Sequence, residues 1–233
     1  MTFDDVSAAL EKRGYAVSVF ATAKEAADYL DQQIDGVSVS FGGSLTLSEM
    51  KLPERLAAHN TLCLPSQMYE GVPCEVDQSK AMSADVFLSS VNAIAKTGEM
   101  VNIDGIGNRV ASMMYGHKKV YLVVGRNKLA ENLEGAVWRA RNIAAPKNAA
   151  RLHMKTPCAV TGHCHDCSSP ERICCGMNVL LHKMFRMETE IVLIDEELGL
   201  EGQRQPKSRS EGYDPDFGSL YFLYYTKNER IFW

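Results

Sequence analysis

Short apolar runs that end on glycine turns and open straight into helix starts constrain this chain more than any other feature. Val37, Val39 and Phe41 alternate with Ser38 and Ser40 and run directly into Gly42, Gly43 and Ser44. That is the period-two pattern of a half-buried strand. Thr46 and Glu49 then have the spacing of a helix-start capping box, as do Thr22 and Glu25. Further strands are expected over residues 15–20, 61–64, 86–91, 100–103, 120–124 and 191–194. Between them, Phe3, Val6 and Leu10 share a helix face that Thr2 and Asp5 open and Gly14 ends, and Pro53 restarts a helix. Asn127 is placed to cap a long helix whose inward stripe is Leu129, Leu133, Val137, Ala140 and Ala144, with Pro146 as its stop. Strands alternating with helices predict an α/β fold, an open and mainly parallel sheet with helices on both faces.

The 233 residues are 45% hydrophobic and 23% charged, which suits a globular chain. A net charge of −4 without a basic run argues against a nucleic-acid partner. No apolar stretch reaches the roughly 20 residues that span a bilayer, so no membrane insertion is expected. The first ten residues, with Asp4 and Asp5, lack the order of a signal peptide. A cytoplasmic location follows as the expectation, and with it reduced thiols.

Ligands of open α/β sheets bind beyond the carboxyl ends of the strands. Two such ends carry suggestive residues. Gly42, Gly43 and Ser44, with Thr46 and Glu49 just beyond, present backbone N–H groups at a helix start, which favours an anion. Asp104, Gly105, Gly107, Asn108 and Arg109 supply a carboxylate, two permissive glycines, an amide and a guanidinium at another such turn. Either turn alone is as well read as a capped tight turn; together they favour a site for a small anionic molecule, with Arg109 as a carboxylate clamp. A dinucleotide site is disfavoured, because Val110 stands where the fingerprint needs its third small residue, and no Walker lysine is present.

Five of the seven cysteines fall between positions 158 and 175, in the pattern C-x5-C-x2-C-x6-C. Pro157, Gly162 and Pro170 fold this stretch back on itself, so Cys158, Cys164, Cys167 and Cys174 are the expected metal ligands, with Cys175 an extra thiol. Structural zinc more often uses two well-separated pairs. Closely strung thiols resemble cluster-binding loops, so an iron–sulfur cluster of the [4Fe–4S] kind is the expected cofactor and zinc the alternative. His163 and His165 are possible further ligands, and Cys63 and Cys74 are read as structural. Buried core thiols do not suit a loop this rich in His, Asp, Ser and Arg. Nothing in the spacing links the cysteine loop to the glycine turns.

Residues 201–233 change in character. A polar stretch leads to Ser219-Leu-Tyr-Phe-Leu-Tyr-Tyr225, and 8 of the chain's 19 aromatic residues lie from Tyr213 to Trp233. Solvated segments are depleted in aromatics, so this extension is expected to cover its own domain or another subunit.

The segments Phe41-Gly-Gly-Ser-Leu-Thr-Leu-Ser-Glu49, Val101-Asn-Ile-Asp-Gly-Ile-Gly-Asn-Arg-Val110, Val123-Val-Gly-Arg-Asn-Lys128 and the cysteine loop together resemble the LUD domain, the lactate-utilisation family. The resemblance covers most of residues 1–200, including the loop 156–176, with 201–233 as an extension. It implies a fold like that of glucosamine-6-phosphate deaminase, ribose-5-phosphate isomerase and the CoA transferases. It also implies a link to the iron–sulfur system that oxidises L-lactate to pyruvate, with other lactate-utilisation subunits or a second copy as partners. Members with ferredoxin-type motifs carry them in a separate C-terminal region, and residues 201–233 hold no cysteine. The resemblance names no catalytic residue. A zinc-stabilised ligand-binding or regulatory protein and a metal-independent isomerase or transferase are the alternative readings.

Overall fold

A computed structural model of the chain describes residues 3–200; Thr2 and the aromatic extension lie outside the described residues. Its main sheet contains β1 (Ala16–Phe20), β2 (Ser38–Phe41), β3 (Thr61–Leu64), β4 (Glu75–Val76) and β5 (Val86–Ser89). A second, smaller sheet begins with β6 (Ala93–Ala95) and β7 (Met100–Asp104). The chain then returns to the main sheet with β8 (Lys119–Gly125), adds β9 (Leu129–Ala130) and β10 (Gly176–Leu180) to the small one, and closes with β11 (Glu188–Ile194).

The main sheet has seven strands in the order β1-β11-β8-β5-β2-β3-β4, and every pairing in it is parallel. Central strands of such sheets are buried on both faces and read as continuous apolar runs. β8 shows this: Tyr121 and Val123 enter one core, while Val120, Leu122 and Val124 enter the other. Helices α2 (Ala23–Gln33), α3 (Leu45–Glu49) and α4 (Leu52–Ala57) cover the first face with Ala26, Leu30, Leu47 and Leu56. On the opposite face α1 (Phe3–Lys12) packs Val6 and Leu10 over Ile191 and Leu193. The open parallel α/β sheet read from the sequence is the fold of the protein.

Four local expectations are corrected. Residues 86–91 are not one strand: β5 ends at Ser89, and after Ser90–Asn92 the chain enters β6 in the second sheet. That sheet, ordered β10-β7-β6-β9 and partly antiparallel, has no counterpart in the sequence reading. Asn127 does not cap the long helix. Residues Arg126–Lys128 form a 3₁₀ turn, and Asn132 caps α7 (Leu133–Arg139) by accepting from the Gly135 N–H at 2.8 Å. Nor does Pro146 end the helix. A π-helical turn, Ala140–Ala144, precedes it, and Pro146 sits in the first turn of α8 (Ala145–Arg151), where a missing N–H is tolerated. Thr46 and Glu49 are not a capping box either: Ser44 is the cap residue of α3, and neither side chain is spent on the helix start. Among the described residues three further short helices are α5 (Gln78–Ser83), α6 (Asn108–Ser112) and α9 (Pro157–Thr161).

Candidate functional site

The carboxyl ends of β2, β5 and β8 point the same way because the strands are parallel, and the segments that leave them meet around one cavity of about 610 Å³. Gly43, Ser44 and Thr46 come from β2, Ser90 and Asn92 from β5, and Asn127 and Lys128 from β8. The second sheet adds Asp104, Gly105, Asn108 and Arg109 beyond β7. This is where an open α/β sheet takes its ligand.

Lys128 is buried, and its Nζ donates to Thr46 Oγ1 at 2.8 Å and to Ser90 Oγ at 2.5 Å. One ammonium thus ties together the ends of three strands. Thr46 is available for this because it is not capping α3. Glu49, read as its capping partner, instead accepts from the Gly199 N–H at 2.7 Å and holds the segment after β11.

Arg109 is engaged on the framework. Its Nη2 donates to the Ile103 carbonyl at 2.6 Å and to Asn92 Oδ1 at 3.4 Å. Its Nη1 donates to the Ser90 carbonyl at 3.2 Å and to Asn102 Oδ1 at 3.4 Å. The guanidinium therefore braces the crossover between the two sheets, and a carboxylate clamp would have to share it. Asp104 accepts from the Ile106 and Val110 N–H groups, both at 3.1 Å, and lies 3.9 Å from Arg109 Nε. Gly42 does not line the cavity. A Cβ there would meet Arg109 Cγ at 2.8 Å and Cδ at 2.9 Å, so the missing side chain is what lets the arginine stem pass. Gly107 is likewise off the cavity; at φ +95° it takes the left-handed turn that opens α6.

Arg139, Arg151 and Arg172 also line the cavity, and the sequence reading missed all three, as it missed Lys128, Ser90 and Asn92. Arg139 donates through Nε to the Asn127 carbonyl at 3.0 Å and through Nη1 to the Asn92 carbonyl. Arg139 lies off the Leu133, Val137, Ala140 stripe read from the sequence, so no local signal marked it; in the structure it is buried beside Ala136 and Ala140. Among the described residues five cationic side chains line the cavity, together with the carboxylates of Glu70 and Asp104.

Arg172 and Ile173 belong to the cysteine loop, so the loop forms part of the cavity wall. The Cys175 N–H donates to the Asp104 carbonyl at 3.0 Å, and the Ile173 backbone lies against Gly105. Cys158, Cys164, Cys167 and Cys174 are half-buried free thiols, and Cys175 is exposed. Burial, the largest effect, pushes the Cys174 thiol up; the Arg172 guanidinium opposes it, and the nearby Cys164 and Cys167 thiols add to the rise. The Cys158 sulfur lies 3.3 Å from the Thr156 hydroxyl. Cys63 is buried and Cys74 half-buried elsewhere in the fold.

The cysteine loop supplies four half-buried thiols as donors, the kind of ligand that both iron–sulfur clusters and zinc take. The arrangement shown does not fit a single ion. Zinc needs its sulfurs at about 2.3 Å, and no three His, Cys, Asp or Glu side chains among the described residues are gathered to hold one ion.

The chain is thus an α/β protein with an open parallel sheet and, among the described residues, a cavity at the strand ends lined by several cationic side chains. The chain belongs to the LUD domain family, whose model matches residues 4–194, a family linked in general to lactate utilisation. A DUF162 family protein from Deinococcus radiodurans is 11% identical over 83% of this chain and 99% of its own, with a TM-score of 0.44. Ribose 5 phosphate isomerase A from Neisseria gonorrhoeae is 12% identical over 48% of this chain and 54% of its own, TM-score 0.34. The eIF2B beta subunit from Chaetomium thermophilum is 15% identical over 47% and 43%, TM-score 0.36. These are distant likenesses. Among curated proteins, none matches the chain. Among the described residues no helix is long and apolar enough to cross a membrane.

Proposed function

We propose that the protein binds a small organic anion of the hydroxy-acid class at the strand-end cavity and serves as a component of an iron–sulfur-dependent L-lactate utilisation system. One observation supports this most: among the described residues, Lys128, Arg109, Arg139, Arg151 and Arg172 line one cavity together with the carboxylates of Glu70 and Asp104. Family membership supplies the metabolic setting. Lys128 is the central charge, because Thr46 and Ser90 fix its ammonium where three strands end. The cysteine loop is the seat of the cluster, with Cys158, Cys164, Cys167 and Cys174 as its ligands. Such a cluster, when bound, supplies one-electron transfer. The chain works with other subunits of that system, which would receive or deliver the electrons.

Calorimetric titration of the full chain with L-lactate, pyruvate and inorganic phosphate tests the anion reading. Charge-assisted hydrogen bonds are worth about 1.5–3 kcal/mol, so Lys128→Met should weaken binding by about tenfold or more. Equal affinity in the variant, or no binding of any of the three, refutes it. Anaerobic purification with metal analysis and a visible spectrum tests the cluster. A colourless, iron-free protein after reconstitution with iron and sulfide rejects it, and stoichiometric zinc whose removal unfolds the chain would replace it.

A further inference from the structure

The strand-end cavity is far larger than the smallest hydroxy acid. A water molecule takes about 30 Å³ of the liquid, so the six heavy atoms of lactate fill at most about 180 Å³. That is less than a third of the cavity's volume of about 610 Å³. The floor, where the strands end, is polar: Lys128, Thr46, Ser90 and Arg139 are all buried there. The wall is different. Leu45, Ile106, Leu152, Met154 and Ile173 line the same cavity from four separate segments. Ile106 is 47% exposed and the other four are half-buried. Among the described residues, none of the five belongs to the three apolar clusters that form the core. Apolar surface kept out of the core and gathered in a concave site marks a place for a ligand.

Hydrogen bonds fix this wall in place. The Leu152 N–H donates to the Asn148 carbonyl at 3.0 Å and the Met154 N–H to the Ala149 carbonyl at 2.9 Å, so both residues stay with the end of α8. The Lys155 N–H donates to the Glu171 carboxylate at 2.7 Å, and the Ser169 hydroxyl donates to the Lys155 carbonyl at 2.9 Å. These bonds tie that segment to the stretch leading into Ile173. The Cys175 N–H donates to the Asp104 carbonyl at 3.0 Å, and a Cβ on Gly105 would meet the Ile173 carbonyl oxygen at 3.1 Å. Ile173 is thereby held against the turn that carries Ile106. A wall ordered before its ligand arrives loses little entropy on binding.

We propose that this wall is a subsite for an apolar chain, and that the ligands of the cavity are 2-hydroxy acids larger than lactate. The proposal rests on the anion-binding reading above, which puts the carboxylate at the Lys128 end and so sends the chain out along the wall. The eleven heavy atoms of 2-hydroxyoctanoate take up to about 330 Å³, more than half of the cavity. Lactate reaches the polar floor alone and leaves the wall to water. A longer chain removes its own apolar surface and that of the wall from water together, and each methylene so buried tightens binding about fourfold.

Calorimetric titration of the full chain with L-lactate, L-2-hydroxyhexanoate and L-2-hydroxyoctanoate tests this, with octanamide as an uncharged probe of the wall. Affinity should rise with chain length, by about tenfold or more from lactate to the octanoate. Ile106→Thr and Met154→Thr should each shrink that ratio by about threefold or more. Phe185→Ser, at an exposed apolar residue that does not line the cavity, should leave it unchanged. Lactate bound with an affinity that does not grow with chain length overturns the proposal and leaves the anion reading standing. A ratio that Phe185→Ser shrinks as much as the wall variants do overturns it too, because the chain then binds elsewhere. If no acid binds but octanamide does, the anion reading fails and the apolar subsite is upheld; if nothing binds, both fail.

Discussion

Gly42 illustrates how one residue without a side chain can serve a site it does not touch. Its N–H continues the sheet by donating to the Leu88 carbonyl at 2.9 Å, while its open face admits the Arg109 methylenes. Added volume in such a place cannot be relieved cheaply, because the arginine head is fixed by the carbonyls of Ser90 and Ile103. Gly42→Ala should cost about 1–3 kcal/mol, as overpacking does, and should disturb the crossover that Arg109 braces. Urea unfolding measures this; an unchanged midpoint would show that the stem is free to move aside. Gly42 was legible in the sequence as part of a turn, but its partner was not, since Arg109 is remote in the chain.

At the scale of elements, two capping boxes were expected and one formed. The Thr22 hydroxyl accepts from the Glu25 N–H at 3.2 Å, and the Glu25 carboxylate accepts from the Thr22 N–H at 3.1 Å. Removing the first of these bonds in Thr22→Ala should destabilise the protein by about 1 kcal/mol, seen as a lower thermal midpoint with unchanged ligand binding. No loss would mean that packing of Ala26 and Leu30 alone holds α2. The sequence at Thr46 and Glu49 has the same spacing, yet Lys128 and Gly199 claim those side chains. A local motif predicts local bonding only where no tertiary partner offers a better one. The long helix shows the same limit. Its apolar period was readable, whereas its true start at Asn132 and its π turn depend on how α7 meets the second sheet.

At the scale of the whole molecule, the two ends of the main sheet carry different chemistry. The cavity occupies the carboxyl end. At the other end Asp85 joins the starts of β2 and β5: Lys118 Nζ lies 2.6 Å from one carboxylate oxygen, and the Ser38 hydroxyl donates to the other at 2.6 Å. The hydrogen bond from Lys118, followed by those from Ser38, holds its carboxyl well below the usual range, at about 2. A carboxylate whose folded pKa is depressed stabilises the fold above its unfolded pKa and loses that contribution as pH falls through the folded one. The window here runs from about pH 4 down to about pH 2. Lys118 is largely exposed, so solvent screening limits the contribution to about 1 kcal/mol. Thermal midpoints recorded from pH 7 to pH 2 should therefore fall less steeply for Asp85→Asn than for the natural protein. Parallel curves would assign acid sensitivity elsewhere.

The parallel sheet, its helical cover and most strand positions were determined by the sequence alone, because burial on two faces writes itself into a chain as apolar period and turn residues. Val120–Val124 and Ile191–Ile194 needed no partner to be recognised as core strands. The thiol spacing and the Asp104-to-Arg109 turn were equally plain as chemistry. Their relation to one another was not. That Arg172 joins the cysteine loop to the cavity, that Lys128 gathers Thr46 and Ser90, and that Arg109 is spent on carbonyls follow from strand order and from the second sheet. Pairings between residues far apart in the chain leave no periodic trace in it, so only the tertiary structure could decide them.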